Sequence, residues 1–187
     1  MTKTMKLYMI LLGCRPKGRF TEQHDIFFGI GNSLAELIPE MKASWPEAKG
    51  KIHVDSWREV TAVTNHKIEI VPRNTAPANS TQLFFINLGG YKENEFEEYH
   101  YKILAVGDTL AEASKKAKTT SFYKHFGFKG ATSHIDDKYG VDVDEIYSVK
   151  DILSLNLKEK YELKISKSDI ILEEDLLHIG YLKLEKL

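Results

Sequence analysis

The stretch LYMILLG at residues 7–13 returns as LFFINLG at residues 83–89. Two further stretches recur at the same spacing, so that the match runs without a gap as far as residue 36 of the first copy. These pairs are FTEQH (20–24) with FEEYH (96–100), and GNSLAE (31–36) with GDTLAE (107–112). A repeat of this length and fidelity predicts a tandem duplication, which determines the architecture but leaves the function open.

Each copy predicts the same order of elements. A short apolar run indicates a strand covered on both faces, and a polar loop and a second strand follow. Ser33-x-x-Glu36 and Thr109-x-x-Glu112 then predict capping boxes at two helix starts, with Pro39 kinking the first helix or delaying its regular start. The predicted fold is α+β, a tandem duplication of a strand-strand-helix-strand-strand unit packed with pseudo-two-fold symmetry.

The domain boundaries follow from the repeat and from composition. Residues 1–72 form the predicted first repeat, and residues 73–82, rich in Pro, Asn, Ser and Thr, form a linker. Residues 83–187 form the second repeat, with an insertion near 127–130 and a C-terminal strand that begins near Ile179. Two further strands, 67–71 and 161–165, resemble each other and are predicted to hold equivalent places in the two repeats.

Composition excludes several classes of function. A formal net charge of −1 does not suit a general nucleic-acid binder. The chain has no apolar run near the roughly 20 residues that span a bilayer, and its N-terminus lacks the features of a signal peptide. One cysteine excludes an intramolecular disulfide framework and suits a reducing compartment. We therefore expect a soluble, cytoplasmic protein that contacts neither nucleic acid nor membrane.

Two short motifs carry the titratable groups that could do chemistry, and each occurs in both copies. Residues i and i+2 of a strand point the same way, so both members of each motif are expected on one face. Imidazoles and carboxylates are ligands for zinc, manganese or iron, and they also serve as general acids and bases. The motifs are Glu22-x-His24 and Glu98-x-His100, followed by His53-x-Asp55 and His134-x-Asp136.

Three interpretations of these motifs remain open. The favoured one is structural, in which His-x-Asp and Glu-x-His anchor turns by hydrogen bonding to the backbone. The second is a metal or acid/base site, with His24, His53 and Asp55 as candidate metal ligands. The third is a ligand pocket that uses these groups for hydrogen bonds. The metal interpretation gains support if His24 and His53 lie within about 5 Å of each other, and it fails if they lie on opposite faces.

Other residues suggest weaker sites. Arg15 and Arg19 could hold an anion, and Trp57 could form the wall of a pocket because it follows Asp55 by two positions. Gly13 is interpreted as a glycine between strand and loop that permits a tight turn or a close backbone approach. Cys14 is expected to be a small buried or loop cysteine rather than a nucleophile.

Several of these motifs resemble a bacterial family of uncharacterised proteins, the domain of unknown function numbered 1543. The similar segments are Leu7–Gly13, Pro16–Arg19, Glu22–Asp25, Gly31–Ser33, His53–Trp57 and the second-copy FFINLGGY (84–91). The resemblance covers most of the chain and implies a bacterial, cytosolic origin. It implies no activity.

Our leading functional hypothesis is a non-catalytic module that binds a small molecule or a protein partner, without a cofactor. The alternative is a metal-assisted hydrolase or related enzyme that uses the duplicated motifs, with a divalent metal as its cofactor. A homodimer is the third arrangement considered. The two leading hypotheses differ in whether the His and Asp side chains converge with one another or are satisfied by backbone groups.

Overall fold

A computed structural model describes residues 4–77, 80–125, 134–135 and 146–187, with the backbone alone described at 134–135. The strands are β1 (Lys6–Cys14), β2 (Gln23–Gly31), β3 (His53–Glu59), β4 (Ala62–Val63), β5 (His66–Pro72), β6 (Gln82–Tyr91), β7 (Glu98–Gly107), β8 (His134–Ile135), β9 (Ile146–Ser148), β10 (Tyr161–Lys167) and β11 (His178–Lys183). The α-helices are α1 (Ile38–Ser44), α2 (Leu110–Ala117), α3 (Ser121–His125), α4 (Val149–Ile152) and α5 (Leu155–Lys160). Short 3₁₀ helices occupy Leu34–Leu37, Pro46–Ala48 and Leu184–Lys186.

These sheets and short helices make the protein α+β, as the sequence predicted. The chain divides into two compact units. The first unit contains Met1–Pro77 and Leu153–Leu187, and the second contains Ala78–Ile152. Among the described residues, no helix has the length and apolar character needed to cross a membrane.

The main sheet of the first unit is antiparallel, with strand order β11-β3-β1-β2. Alternate residues of β1 point to one face, where Tyr8, Ile10 and Leu12 are buried against Leu37 and Met41 of the helical segment. This helix-covered face holds the main core of the unit. The opposite face of the sheet carries Gly13 and the side chains of His24 and His53, which lie opposite Gly13 on the two neighbouring strands.

A second sheet completes the first unit, with strand order β10-β5-β4. β5 and β10, which the sequence assigned to equivalent places in the two repeats, pair with each other, with Tyr161 opposite Pro72 and Lys167 opposite His66. The Glu162 carboxylate of β10 also holds the segment that follows β5, because its Oε1 accepts hydrogen bonds from the backbone N–H groups of Thr75 and Ala76 at 2.7 and 2.6 Å.

The two compact units are bounded differently from the two repeats expected from the sequence. Residues 153–187 of the expected second repeat belong to the first compact unit, together with part of the expected linker. The physical reason is strand pairing, since β5 needs β10 as its neighbour and β3 needs β11. The expected insertion near 127–130 lies outside the described residues.

The second unit has β6 at the centre of its sheet, with β7 on one side and both β8 and β9 on the other. Phe84, Ile86 and Leu88 of β6 are buried on one face with Ala113 and Ala117 of α2. The smaller helix residues fit against larger strand residues here, whereas in the first unit the helix supplies Leu and Met.

Strand pairing has the same register in both units. In the first unit Gly13 lies opposite His24 of β2 and opposite His53 of β3. In the second unit Gly89 lies opposite His100 of β7 and opposite His134 of β8. The sequence correspondence therefore extends to which residues face each other across the strands.

The predicted capping boxes are found in different degrees. Thr109 accepts a hydrogen bond from the N–H of Glu112 at 3.2 Å, and Glu112 reaches back to the N–H of Asp108 at 2.9 Å. Ser33 makes no such side-chain bond, although Glu36 accepts from the N–H of Asn32 at 2.9 Å. The first helical segment begins as a 3₁₀ turn and becomes an α-helix with Pro39 in its first turn, as the delayed start predicted.

Candidate functional site

Gly13 lies at the centre of the candidate site. It belongs to β1 rather than to a turn, and β1 runs between β2 and β3. Directly opposed residues of antiparallel strands share one face, so His24 and His53 both stand beside Gly13. A glycine has no side chain, and the two neighbouring side chains can therefore extend over it toward each other.

A β-bulge in β3 positions Asp55. Leu12 pairs with Val54 and Leu11 pairs with Ser56, which leaves Asp55 as the extra residue. The bulge keeps Asp55 on the face of His53 and turns Trp57 toward the opposite face. Trp57 accordingly packs on the helix-covered core, which corrects the expectation that it shares the side of Asp55.

Four side chains meet over Gly13, and we name Glu22, His24, His53 and Asp55 the His/carboxylate cluster. His53 Nε2 lies 3.2 Å from Glu22 Oε1 and 3.3 Å from Asp55 Oδ1. His24 Nε2 lies 3.2 Å from Asp55 Oδ2 and 3.8 Å from Glu22 Oε2. Each carboxylate thus directs one oxygen to each imidazole, and the two histidines share both partners.

Two members of the cluster are largely buried, and the other two are partly exposed to solvent. The His53 side chain is 12% exposed and Asp55 is 23% exposed, whereas His24 and Glu22 are 41% and 46% exposed. His53 Nε2 and Asp55 Oδ2 are buried atoms without a hydrogen-bond partner, because their short contacts do not have hydrogen-bond geometry. A buried polar atom without a hydrogen bond lowers the stability of the folded state, so its presence in a native fold needs an explanation.

Gly13 keeps this space open. A Cβ at position 13 would lie 2.3 Å from His53 Nε2 and 2.4 Å from Asp55 Oδ2, which is far inside van der Waals contact. Any larger residue would displace the two buried members of the cluster. The signal that could have revealed Gly13 in the sequence is its recurrence as Gly89, at the same offset that relates His24 to His100.

Contacts of the cluster differ from those of turn anchors. Within the described part of the chain, the four side chains pair with one another and make no hydrogen bond to a backbone group. His53 also packs on the ring of Tyr181 in β11, at 4.4 Å between ring centroids. Tyr181 was not identified in the sequence, because nothing local indicates that β11 pairs with β3.

The charge of Glu22 also acts on a thiol near the cluster. Burial, and then the negative charge of Glu22, raise the pKa of the nearby Cys14 thiol above its ordinary value. Cys14 is buried on the helix-covered face, so it is the small buried cysteine that the sequence predicted. Lys183 lies opposite His53 on β11 and adds a cation at the border of the site.

Metal ligands in proteins surround a common point. Among the residues that the structure describes, no group of three or more His, Cys, Asp or Glu side chains is already arranged to hold a metal ion. In the His/carboxylate cluster, the oxygens of each carboxylate are divided between the two imidazoles. The arrangement as it stands is therefore one of mutual ion pairing.

The second unit reproduces the strand positions, and of its four candidate side chains the structure describes those of Glu98 and His100. His100 and His134 flank Gly89 by register, and Asp136 lies outside the described residues. Glu98, the counterpart of Glu22, accepts a hydrogen bond from the Tyr91 hydroxyl at 2.7 Å. The candidate residues of this unit are thus placed by the backbone, while the convergence of four side chains is seen in the first unit.

The candidate pocket of Arg15, Arg19 and Trp57 is not assembled around one point. Both arginines lie exposed in the segment that joins β1 to β2. Trp57 stacks on His178 at 3.8 Å between centroids and packs near Tyr8 on the core side. These residues therefore lie apart from the His/carboxylate cluster.

Comparison with known proteins agrees with the resemblance noted in the sequence. The family model of a domain of unknown function, DUF1543, matches residues 19–70. This range includes all four residues of the His/carboxylate cluster, while Gly13 and β11 lie outside it. No curated protein matches the chain.

A solved structure shares the fold. It is the crystal structure of a protein Il1583 from Idiomarina loihiensis, with a TM-score of 0.56 and 22% sequence identity. The alignment covers 96% of this chain and 98% of that one. At this identity the likeness concerns the fold alone.

Proposed function

We propose that the protein is a non-catalytic binding module, and that its first unit holds a small polar ligand at the His/carboxylate cluster. The observation that carries this proposal is the convergence of four titratable side chains over a glycine, with two buried atoms left unsatisfied. A bound ligand would satisfy His53 Nε2 and Asp55 Oδ2 and remove the cost of burying them without partners.

Access to the cluster supports a ligand from solution. His24 and Glu22 are partly exposed, so a ligand would enter from their side and displace them to contact the buried His53 Nε2 and Asp55 Oδ2. The exposed Tyr181 ring beside His53 offers an apolar edge to the same entrance. This combination of a few convergent polar groups with a neighbouring aromatic is common in small-molecule sites.

Thermal unfolding with a panel of probes tests the proposal. The panel has an organic arm (acetate, citrate, imidazole and adenosine monophosphate) and a divalent-cation arm (magnesium, calcium, manganese and zinc). We expect at least one probe to raise the melting temperature of the full chain, because a ligand that binds only the folded state stabilises it.

The matched variants locate the binding. Gly13→Ala places a methyl group against His53 and Asp55 and should abolish the shift. Gly18→Ala adds a methyl group where nothing lies within 4 Å but strains a backbone at φ +85°, so it should lower the melting temperature of the free protein and keep the ligand-induced shift. A shift that survives in Gly13→Ala, or a panel without any stabilising probe, would contradict the proposed binding site.

A metal-assisted hydrolase is the second candidate function. The observation that favours it is the presence of two imidazoles and two carboxylates in one cluster, which together could hold a metal and transfer protons. Hydrolysis of p-nitrophenyl acetate and p-nitrophenyl phosphate, compared between the native chain and His24→Ala, tests it. Equal rates in the two proteins would exclude this candidate for those ester classes.

We also propose that the two units arose by duplication. The shared spacing of three sequence stretches and the shared register around Gly13 and Gly89 support this origin. The pseudo-two-fold packing, the protein partner, the homodimer and the cytoplasmic location remain predictions.

A further inference from the structure

We propose that the His/carboxylate cluster binds one divalent transition-metal ion of the zinc type, with Glu22, His24, His53 and Asp55 as its ligands. This inference rests on the proposed function, since it names the ligand of the same site. It does not depend on catalysis, because a metal can stabilise a fold or hold a further ligand without reacting.

The donor set selects the class of ion. Two imidazole nitrogens and two carboxylates suit zinc and neighbouring transition metals. Magnesium and calcium prefer oxygen donors and water, so two imidazoles disfavour them. The cluster contains no thiolate, because Cys14 is buried on the other face of the sheet.

Spacing of the donor atoms supports a single ion. Four ligands at tetrahedral zinc, each about 2.0–2.2 Å from the metal, stand roughly 3.3–3.6 Å from one another. Three of the four nitrogen–oxygen distances in the cluster are 3.2, 3.2 and 3.3 Å, and the fourth is 3.8 Å. Each imidazole nitrogen therefore lies about one such edge from an oxygen of each carboxylate, although a different oxygen contacts each nitrogen.

A metal site at the cluster requires its two carboxylates to reorient. Each carboxylate now spans the two imidazoles with its two oxygens, and as they stand the described His, Cys, Asp and Glu side chains include no group of three that could hold a metal ion. Turning the terminal torsions of Glu22 and Asp55 would direct one oxygen of each toward the space between the rings. These torsions are soft and broad in proteins, so the movement is inexpensive.

The unsatisfied atoms favour a metal over internal pairing. His53 Nε2 and Asp55 Oδ2 are buried, yet their contacts lack hydrogen-bond geometry. A neutral imidazole nitrogen and a carboxylate oxygen both present lone pairs, and a cation placed between them would satisfy both at once. Two carboxylates also balance the charge of a divalent ion.

Isothermal titration of the full chain with zinc, after dialysis against a chelator, tests this inference. We expect one zinc per chain, with magnesium giving no heat at the same concentrations. His24→Ala, at the exposed side, and His53→Gln, which preserves side-chain bulk, should each weaken zinc binding about 100-fold or more, beyond the 10–100-fold typical of residues that only support a ligand. His178→Ala removes an imidazole of the same unit outside the cluster and should leave zinc affinity unchanged.

Each other outcome overturns the metal inference. These outcomes are absence of zinc binding by the native chain, zinc binding that survives His24→Ala and His53→Gln, or equal loss in His178→Ala. Circular dichroism of every variant confirms that the sheet is retained. If zinc fails but a probe of the organic arm still stabilises the native chain and not Gly13→Ala, the metal is wrong and the binding site stands.

Discussion

Gly13 controls how much space the His/carboxylate cluster has. The nearest atoms to a Cβ at this position are the far ends of His53 and Asp55, which can move. The fold can therefore tolerate a small side chain at position 13, while the cluster cannot keep its geometry. This separation makes Gly13 the residue at which binding and stability can be tested independently.

Gly13→Ala should abolish binding at the cluster with little change in stability. Alanine gains roughly 0.5–1 kcal/mol over glycine in a strand, which offsets part of the strain of moving two side chains. We expect the free energy of unfolding to change by about 1 kcal/mol or less, measured by urea denaturation. A variant that binds the same probe as strongly as the native chain would contradict the role assigned to Gly13.

Cys14 should react slowly with iodoacetamide in the folded protein. Burial and the charge of Glu22 raise its pKa, so at neutral pH its thiolate fraction is below that of an ordinary cysteine and grows only as pH rises past the usual thiol range. Mass spectrometry of the alkylated chain against pH measures this. Rapid labelling at neutral pH without denaturant would contradict it, and Glu22→Gln should lower the pKa and speed labelling.

Residue-level prediction succeeded where spacing alone decides orientation. Glu22 with His24 and His53 with Asp55 share a face because alternate residues of a strand do. Trp57 was placed on the wrong face, because the bulge at Asp55 interrupts the alternation and has no signature in the sequence. Local spacing therefore identified the four members of the cluster, but their meeting over Gly13 required the pairing of three strands.

The same sequence motif, Ser/Thr-x-x-Glu, produces different hydrogen bonds at the two helix starts. Glu36 and Glu112 each accept a hydrogen bond from the backbone N–H four residues earlier, which belongs to the residue before the N-cap and not to the N-cap of a standard capping box. The hydroxyl half is present only at Thr109, because Pro39 shifts the regular α-helix in the first unit to a later start. The sequence predicted a cap at both helix starts. The hydroxyl cap bond forms at Thr109 and not at Ser33, where the helical segment begins as a 3₁₀ turn.

Thr109→Ala should therefore cost more stability than Ser33→Ala. The first change removes a cap bond to Glu112 and is expected to cost about 1 kcal/mol. The second removes no cap bond and should stay within about 0.5 kcal/mol of the native chain. Chemical denaturation of the two variants side by side measures the difference, and equal losses would show that the cap bond at Thr109 contributes nothing.

The whole molecule depends on pairing between distant parts of the chain. Strands near the C-terminus, β10 and β11, add to β5 and β3 of the first unit. Leu184 is buried in the same core as Ile10 and Met41. The repeat predicted the shared local elements well, but it could not show that two similar strands would pair with each other.

A fragment of residues 1–72 should not fold cooperatively. It would lack β10 and β11 and leave the core without Leu184, so two sheets would lose an edge strand and apolar surface would be exposed. Thermal unfolding followed by circular dichroism, with the full chain as control, measures this. A sharp, reversible transition for the fragment would contradict the division of the chain into the two observed units.

Metal content of tag-free protein tests the central claim most directly. Elemental mass spectrometry of the full chain after loading with zinc and removal of excess should give close to one zinc per chain, with the His24→Ala and His53→Gln variants near zero and His178→Ala like the native chain. Native protein without zinc, or equal zinc in all four proteins, would contradict the assignment of the His/carboxylate cluster as a metal site.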